Sequence, residues 1–240
     1  MPRRLCMRCL ESFAEEELAI QGPEYLCSAC RAAAERSRAK PSPPVVEAKE
    51  PRFLDRLRKE VATWCRGRSW AVRAPMLAYF VYTLVRHWLD PMYQDWFKPL
   101  DLGIHELGHF LFAPLGRFLG ILGGSLTQCL VPVGSTAMFY RQRDWFAIAV
   151  CGGWLSLNLF DVATYAADAR SMSLPLVSPG GGEVIHDWNY LLEALGLLSW
   201  DGGVALFLRL AATASMLLCL AAGGWLLWTM ARRGDGSAPV

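Results

Sequence analysis

Residues 204–230 read VALFLRLAATASMLLCLAAGGWLLWTM, and Arg209 is the one charged side chain among them. A helix needs about 20 apolar residues to cross the hydrocarbon core of a bilayer, so this segment predicts a membrane span. Towards the N-terminus, further apolar runs cover 145–167, 123–140, 102–122 and 74–89. The run at 145–167 is long enough to cross but contains Asp161. The runs at 102–122 and 123–140 meet at Gly123-Gly124, where the sequence predicts a break or a re-entrant turn. Together they predict a mainly α fold, a polytopic helical membrane domain of four to five hydrophobic segments over 74–231, with a disordered tail at 232–240.

The chain is 53% hydrophobic over its 240 residues, above the roughly 45–50% of soluble domains. The excess is uneven. Residues 1–73 hold 15 of the 24 Lys/Arg and 10 of the 22 Asp/Glu, a net +5, whereas 74–240 carry a net −3. A basic, hydrophilic head on an apolar body predicts two domains. Met1-Pro2-Arg3-Arg4 leads into no apolar signal core, so the head is expected in the cytosol and the body in the cell or inner membrane. With the head inside, five full crossings would leave Arg141/Arg143 and Arg232/Arg233 outside. One net crossing over 102–140 brings both pairs inside, which the positive-inside rule favours. That four-crossing arrangement puts His105 and the polar loop 168–203 on the same, outer side.

In the head, Cys6-Met7-Arg8-Cys9 and Cys27-Ser28-Ala29-Cys30 form two C-x2-C knuckles. Thiolates three residues apart on a tight turn share one tetrahedral ion, and a second knuckle completes an all-thiolate zinc site. So small a module cannot bury enough apolar area to fold unaided, and a structural metal supplies what the core lacks. Residues 1–38 therefore read as a four-cysteine zinc ribbon, with a short helix at its end. A pair of disulfides would need an oxidising compartment. Four ligands leave no open position, so the ribbon reads as a brace or a dock for a cytosolic protein partner rather than a site of chemistry. Cys65, Cys129, Cys151 and Cys219 stand singly in apolar surroundings and read as packing residues.

Residues 39–52, with Lys40-Pro41-Ser42-Pro43-Pro44, form a Pro-rich linker. Residues 53–68 place Phe53, Leu54, Leu57, Val61 and Trp64 on one stripe and Arg56, Arg58, Lys59, Arg66 and Arg68 elsewhere. That predicts an amphipathic juxtamembrane helix on an anionic leaflet, or else a soluble helix packed on the ribbon. The near-zero net charge of the chain does not point to nucleic acid.

The chemistry concentrates in His105-Glu106-Leu107-Gly108-His109. Histidines four apart share one helix face and can hold one metal ion through their rings. Glu106 lies beside them, where a carboxylate can take a proton from water and pass it to a leaving amine. Three titratable groups in five residues of an apolar run are costly unless paired or metal-bound. A catalytic zinc takes three protein ligands and keeps one position open. His186 is the first choice for the third, because Gly180-Gly181-Gly182 lets its loop fold back, with Asp187 in a supporting role. Asp168 is the rival and Asp161 stands third. His186-Asp187 also reads as the start of a helix over WNYLLEALGLL.

Residues 104–111 resemble membrane-embedded zinc metallopeptidases of the site-2-protease-like group, and the hydropathy of 74–230 is similar in outline. The resemblance implies zinc on His105 and His109, Glu106 as general base, and hydrolysis of a protein or peptide substrate in or near the bilayer. That group carries a third-ligand Asp after an Asn-Pro segment; here Asn158-Leu159-Phe160-Asp161, with Asp168 beyond, stands in the comparable place without its Pro or Gly. The expected cofactors are two Zn2+, one catalytic and one structural. A non-catalytic membrane scaffold or metal-handling protein, whose ribbon recruits partners, is the alternative, and iron in place of zinc is a third reading.

Overall fold

The structure is a computed structural model that describes residues 3–21, 24–38, 52–175 and 185–234. Of the linker expected at 39–52, residues 39–51 lie outside the described residues, as do the glycines at 180–182; of the tail expected at 232–240, residues 235–240 lie outside them and 232–234 instead continue the last helix. Contacts divide the chain into two compact units, Met1–Pro51 and Arg52–Val240.

The first unit is a pair of hairpins and a helix. Strands β1 (Arg3–Leu5) and β2 (Ser12–Ala14) pair antiparallel, as do β3 (Leu18–Gln21) and β4 (Glu24–Cys27), and α1 (Ser28–Arg38) follows. Leu10 closes the first knuckle turn with φ +61. The buried core consists of Cys6, Leu18, Leu26 and Cys27, too little apolar area to hold a fold by itself.

The second unit is helical: α2 (Phe53–Trp64), α3 (Ala74–Leu89), α4 (Lys98–Phe112), α5 (Arg117–Gln142), α6 (Trp145–Ala167), α7 (Asp187–Ala194) and α8 (Asp201–Gly234). Helix α2 stops at Trp64, short of the predicted 68, and the following turn has Gly67 at φ +68. Its Val61, with Cys65 just beyond, packs on Leu226 and Met230 of α8. Arg143, in the left-handed region at φ +58, reverses the chain between α5 and α6, and Asp144 caps α6 by accepting from Ala147 N–H at 3.1 Å.

Among the described residues, three helices are long and apolar enough to cross a membrane: Arg117–Gln142, Trp145–Ala167 and Leu198–Arg232. The expectation of four to five is thereby corrected. The reason is length. At about 1.5 Å per residue, α3 and α4 rise only about 24 and 22 Å, against about 30 Å of hydrocarbon. Leu206, Phe207, Leu210, Leu217 and Leu218 of α8 point outward, as expected where the surroundings are lipid. Inside, α6 and α8 approach through small residues. Ser156 Oγ donates to Ala212 O at 2.7 Å and Ser215 Oγ to Gly152 O at 2.7 Å, a pairing suited to helices packed where water is scarce.

The break expected at Gly123-Gly124 lies elsewhere. It falls at Ala113–Leu115, a 3-10 turn, followed by Gly116 at φ +100, a value that L side chains rarely adopt. Gly123 and Gly124 run on inside α5, where the missing side chains serve packing. A Cβ on Gly123 would meet Gly108 O at 2.6 Å. The two helices thus cross at backbone contact, and α4 presents its histidines directly to α5.

Candidate metal centres

The first centre is the four-cysteine cluster. The Sγ atoms of Cys6, Cys9, Cys27 and Cys30 all lie within 4.8 Å of one another. Cys27 N–H donates to Cys6 Sγ at 3.4 Å. The backbone N–H groups of Cys9 and Cys27 favour the thiolate and hold Cys6 down to about 6, against an ordinary 9.0. Burial, followed by the neighbouring Cys27 sulfur, pushes Cys30 up to about 12. Sulfur ligands crowded this closely, with a charge already favoured on one, suit a single metal ion.

The second centre lies in the helical unit. His105, Glu106 and His109 each bring a ligand atom within 4.8 Å of the others, and this group could hold a metal ion. The ring positions are set from behind. His105 Nδ1 lies 3.0 Å from Gln128 Oε1 and His109 Nδ1 lies 2.9 Å from Gly120 O. Both acceptors belong to α5 and leave the Nε2 atoms facing inward. There they converge on one oxygen: Asp187 Oδ2 is 3.0 Å from His105 Nε2 and 3.3 Å from His109 Nε2.

That convergence tests whether a metal fits. Bonds of about 2.0–2.1 Å set tetrahedral ligand atoms about 3.3 Å apart, close to both separations. A carbonyl can only accept, so His109 Nδ1 carries a proton and Nε2 is the atom left to face Asp187. Without a metal that contact is a hydrogen bond, which raises His109 to about 9; in the neutral ring Nε2 offers a lone pair that a cation can take in the proton's place. The donor set fits a divalent ion.

Asp187 is carried there by three anchors. Its own N–H donates to Tyr165 Oη at 3.1 Å, Trp188 Nε1 to Ser125 Oγ at 3.2 Å, and Asn189 Nδ2 to Ala169 O at 2.8 Å. These tie the start of α7 to α5 and to the end of α6.

The structure thus places Asp187, and not His186, beside the two histidines. His186 does not reach the cluster. It is the N-cap of α7, its Nδ1 accepting from Asn189 N–H at 3.2 Å and its Nε2 lying 3.2 Å from Asp168 Oδ2. Neighbouring residues at a helix start point apart, so seating His186 on Asp168 turns Asp187 towards the histidines. Asp168 is likewise engaged elsewhere. Burial raises its carboxyl, but the Ser171 hydroxyl, the Leu174 N–H and the Ser173 donors outweigh this and hold it below the usual carboxylate range. Asp161 pairs with Lys98 and accepts from Gln128 Nε2 at 2.8 Å. Asn158 is fully buried and donates to Trp154 O at 3.1 Å, away from the cluster.

Glu106, His105, His109, Gln128, Asp161 and Asp187 all border one cavity of about 850 Å³ between α4, α5, α6 and the start of α7. Its size lies within the roughly 300–1,000 Å³ of ligand pockets. The chain matches no family model, no curated protein and no solved structure, so the reading of this site rests on its own chemistry.

Proposed function

We propose that this chain is a membrane zinc metallopeptidase that hydrolyses peptide bonds of a protein or peptide substrate in or near the bilayer. The observation that carries the reading is the convergence of His105 Nε2 and His109 Nε2 on Asp187 Oδ2, with Glu106 beside them on the wall of an open cavity. His105, His109 and Asp187 would hold the ion, which supplies a Lewis acid for the scissile carbonyl and acidifies water. Glu106 takes a proton from the water as its oxygen bonds to the carbonyl carbon, then delivers that proton to the amine as the C–N bond breaks. Bond for bond, one water is consumed per cleavage.

The site end of the helical unit supports the topology that goes with this reading. Gly120 and Gln128 belong to the first half of α5, whereas Arg141 and Arg143 close its far end, where Arg143 pairs with Glu60 of α2 at 3.2 Å. Basic residues gathered at that end support a cytosolic side there, with the cavity towards the other. The ribbon would take the structural zinc and dock a cytosolic partner.

Two measurements on the full chain in liposomes test the function: metal content, and cleavage of single-span peptides. Wild type should hold two equivalents and cleave, and His105→Ala should hold one and be inert. A protein that holds both ions and cleaves no offered span is instead a scaffold or metal-handling protein.

A further inference from the structure

His109 owes its ring state to a backbone carbonyl, which can only accept. His105 leans on a side chain that can turn either way. Gln128 offers an oxygen on one side and an NH2 on the other, and nothing in an amide itself prefers one orientation. Were the NH2 turned to His105, Nδ1 would have to accept. The ring proton would then sit on Nε2, the atom that faces the cluster, and no metal could bind there.

We propose that Asp161, held by Lys98, is a positioning residue that selects the metal-binding tautomer of His105 through Gln128. The inference rests on the reading of His105 as a ligand. Asp161 Oδ2 lies 2.8 Å from Gln128 Nε2, and Lys98 Nζ pairs with Asp161 Oδ1. A carboxylate only accepts, and Lys98 takes its other oxygen. The NH2 of Gln128 must therefore face Asp161, its oxygen must face His105, and Nδ1 must donate at 3.0 Å. Gln128 is 1% exposed, so no bulk solvent can stand in for either partner. The order of causes runs from Lys98 to Asp161 to Gln128 to His105, across residues drawn from α4, α5 and α6. Side chains that orient a ligand from behind commonly change metal affinity by about 10–100-fold when removed.

The test is a Co2+ titration of the full chain in detergent, read by absorption. Thiolate charge-transfer bands report the ribbon and serve as an internal standard, while weaker visible bands report the nitrogen–oxygen site. Asp161→Asn can present either hydrogen-bonding face to Gln128, and should weaken the second site about 10–100-fold with the ribbon bands unchanged. Asp161→Glu, which keeps the charge, should stay within about threefold of wild type, well inside that range. Gln128→Leu leaves the Lys98–Asp161 pair whole and should reproduce the loss. A purely structural role would lower the melting temperature of these variants but leave the titration of the folded protein unmoved. Equal affinity in wild type, Asp161→Asn and Gln128→Leu overturns the inference and spares the site. A wild type that takes up cobalt at the ribbon alone overturns the site itself.

Discussion

Gly124 faces His105 so closely that a Cβ at this position would stand 2.6 Å from the ring Nε2, and 2.7 Å from His109 Nε2. The glycine is the floor of the candidate metal centre. Gly124→Ala should push both rings off their common target and reduce metal at this site by roughly tenfold or more, without touching a ligand. Gly134→Ala, on the same helix with nothing within 4 Å of the added methyl, should keep wild-type metal content. Elemental analysis of the two purified variants decides the matter.

Asp187 and His186 should separate cleanly although they are adjacent in sequence. Asp187→Ala should take the full chain from two equivalents of metal to one. His186→Ala should keep two equivalents and lose about 1 kcal/mol of stability, the scale of a lost helix N-cap. If the His186 variant loses its metal while the Asp187 variant keeps it, the assignment of the third ligand is reversed.

Glu106 should divide binding from turnover. Glu106→Gln keeps the shape of the side chain and removes its basicity. Metal content should remain at two equivalents while the cleavage rate drops about 10²–10⁴-fold, the range for loss of a general base. Undiminished cleavage by this variant would remove Glu106 from the mechanism.

The ribbon should depend on its metal and on pH. A chelator should unfold residues 3–38, whose core is four side chains, while the helical unit keeps its circular dichroism; limited proteolysis would show the cut falling in the ribbon. The folded arrangement lowers Cys6 to about 6 from an ordinary 9.0, so its contribution to the stability of the folded ribbon is full above pH 9.0 and is lost as the pH falls through 6. The urea needed to melt the metal-loaded ribbon should therefore fall towards acid, where protons compete for the thiolates.

Much of this was legible in the residues. Each cysteine knuckle, and the two histidines with a glutamate in one helical turn, come together because the spacing is local and a turn or a helix fixes it. The clear apolar run near the C-terminus became the long α8 for the same reason. What stayed hidden depends on long-range contact. Gly123-Gly124 reads as a break until α4 is known to lie against it, and the chain turns at Gly116 instead. His186 outranks Asp187 on residue type alone. The order is reversed by Asp168, which takes the histidine 18 residues away in sequence. Nothing in the spacing of Lys98, Gln128 and Asp161 announces that three helices bring them into one line.

Helices α3 and α4 are shorter than the hydrocarbon layer that α5, α6 and α8 are long enough to cross. Where such short helices meet lipid, the acyl chains beside them tilt or compress, at a cost of fractions of a kcal/mol per ångström of mismatch. Placing the protein in short-chain and in long-chain vesicles would therefore read how far its cleft depends on bilayer thickness.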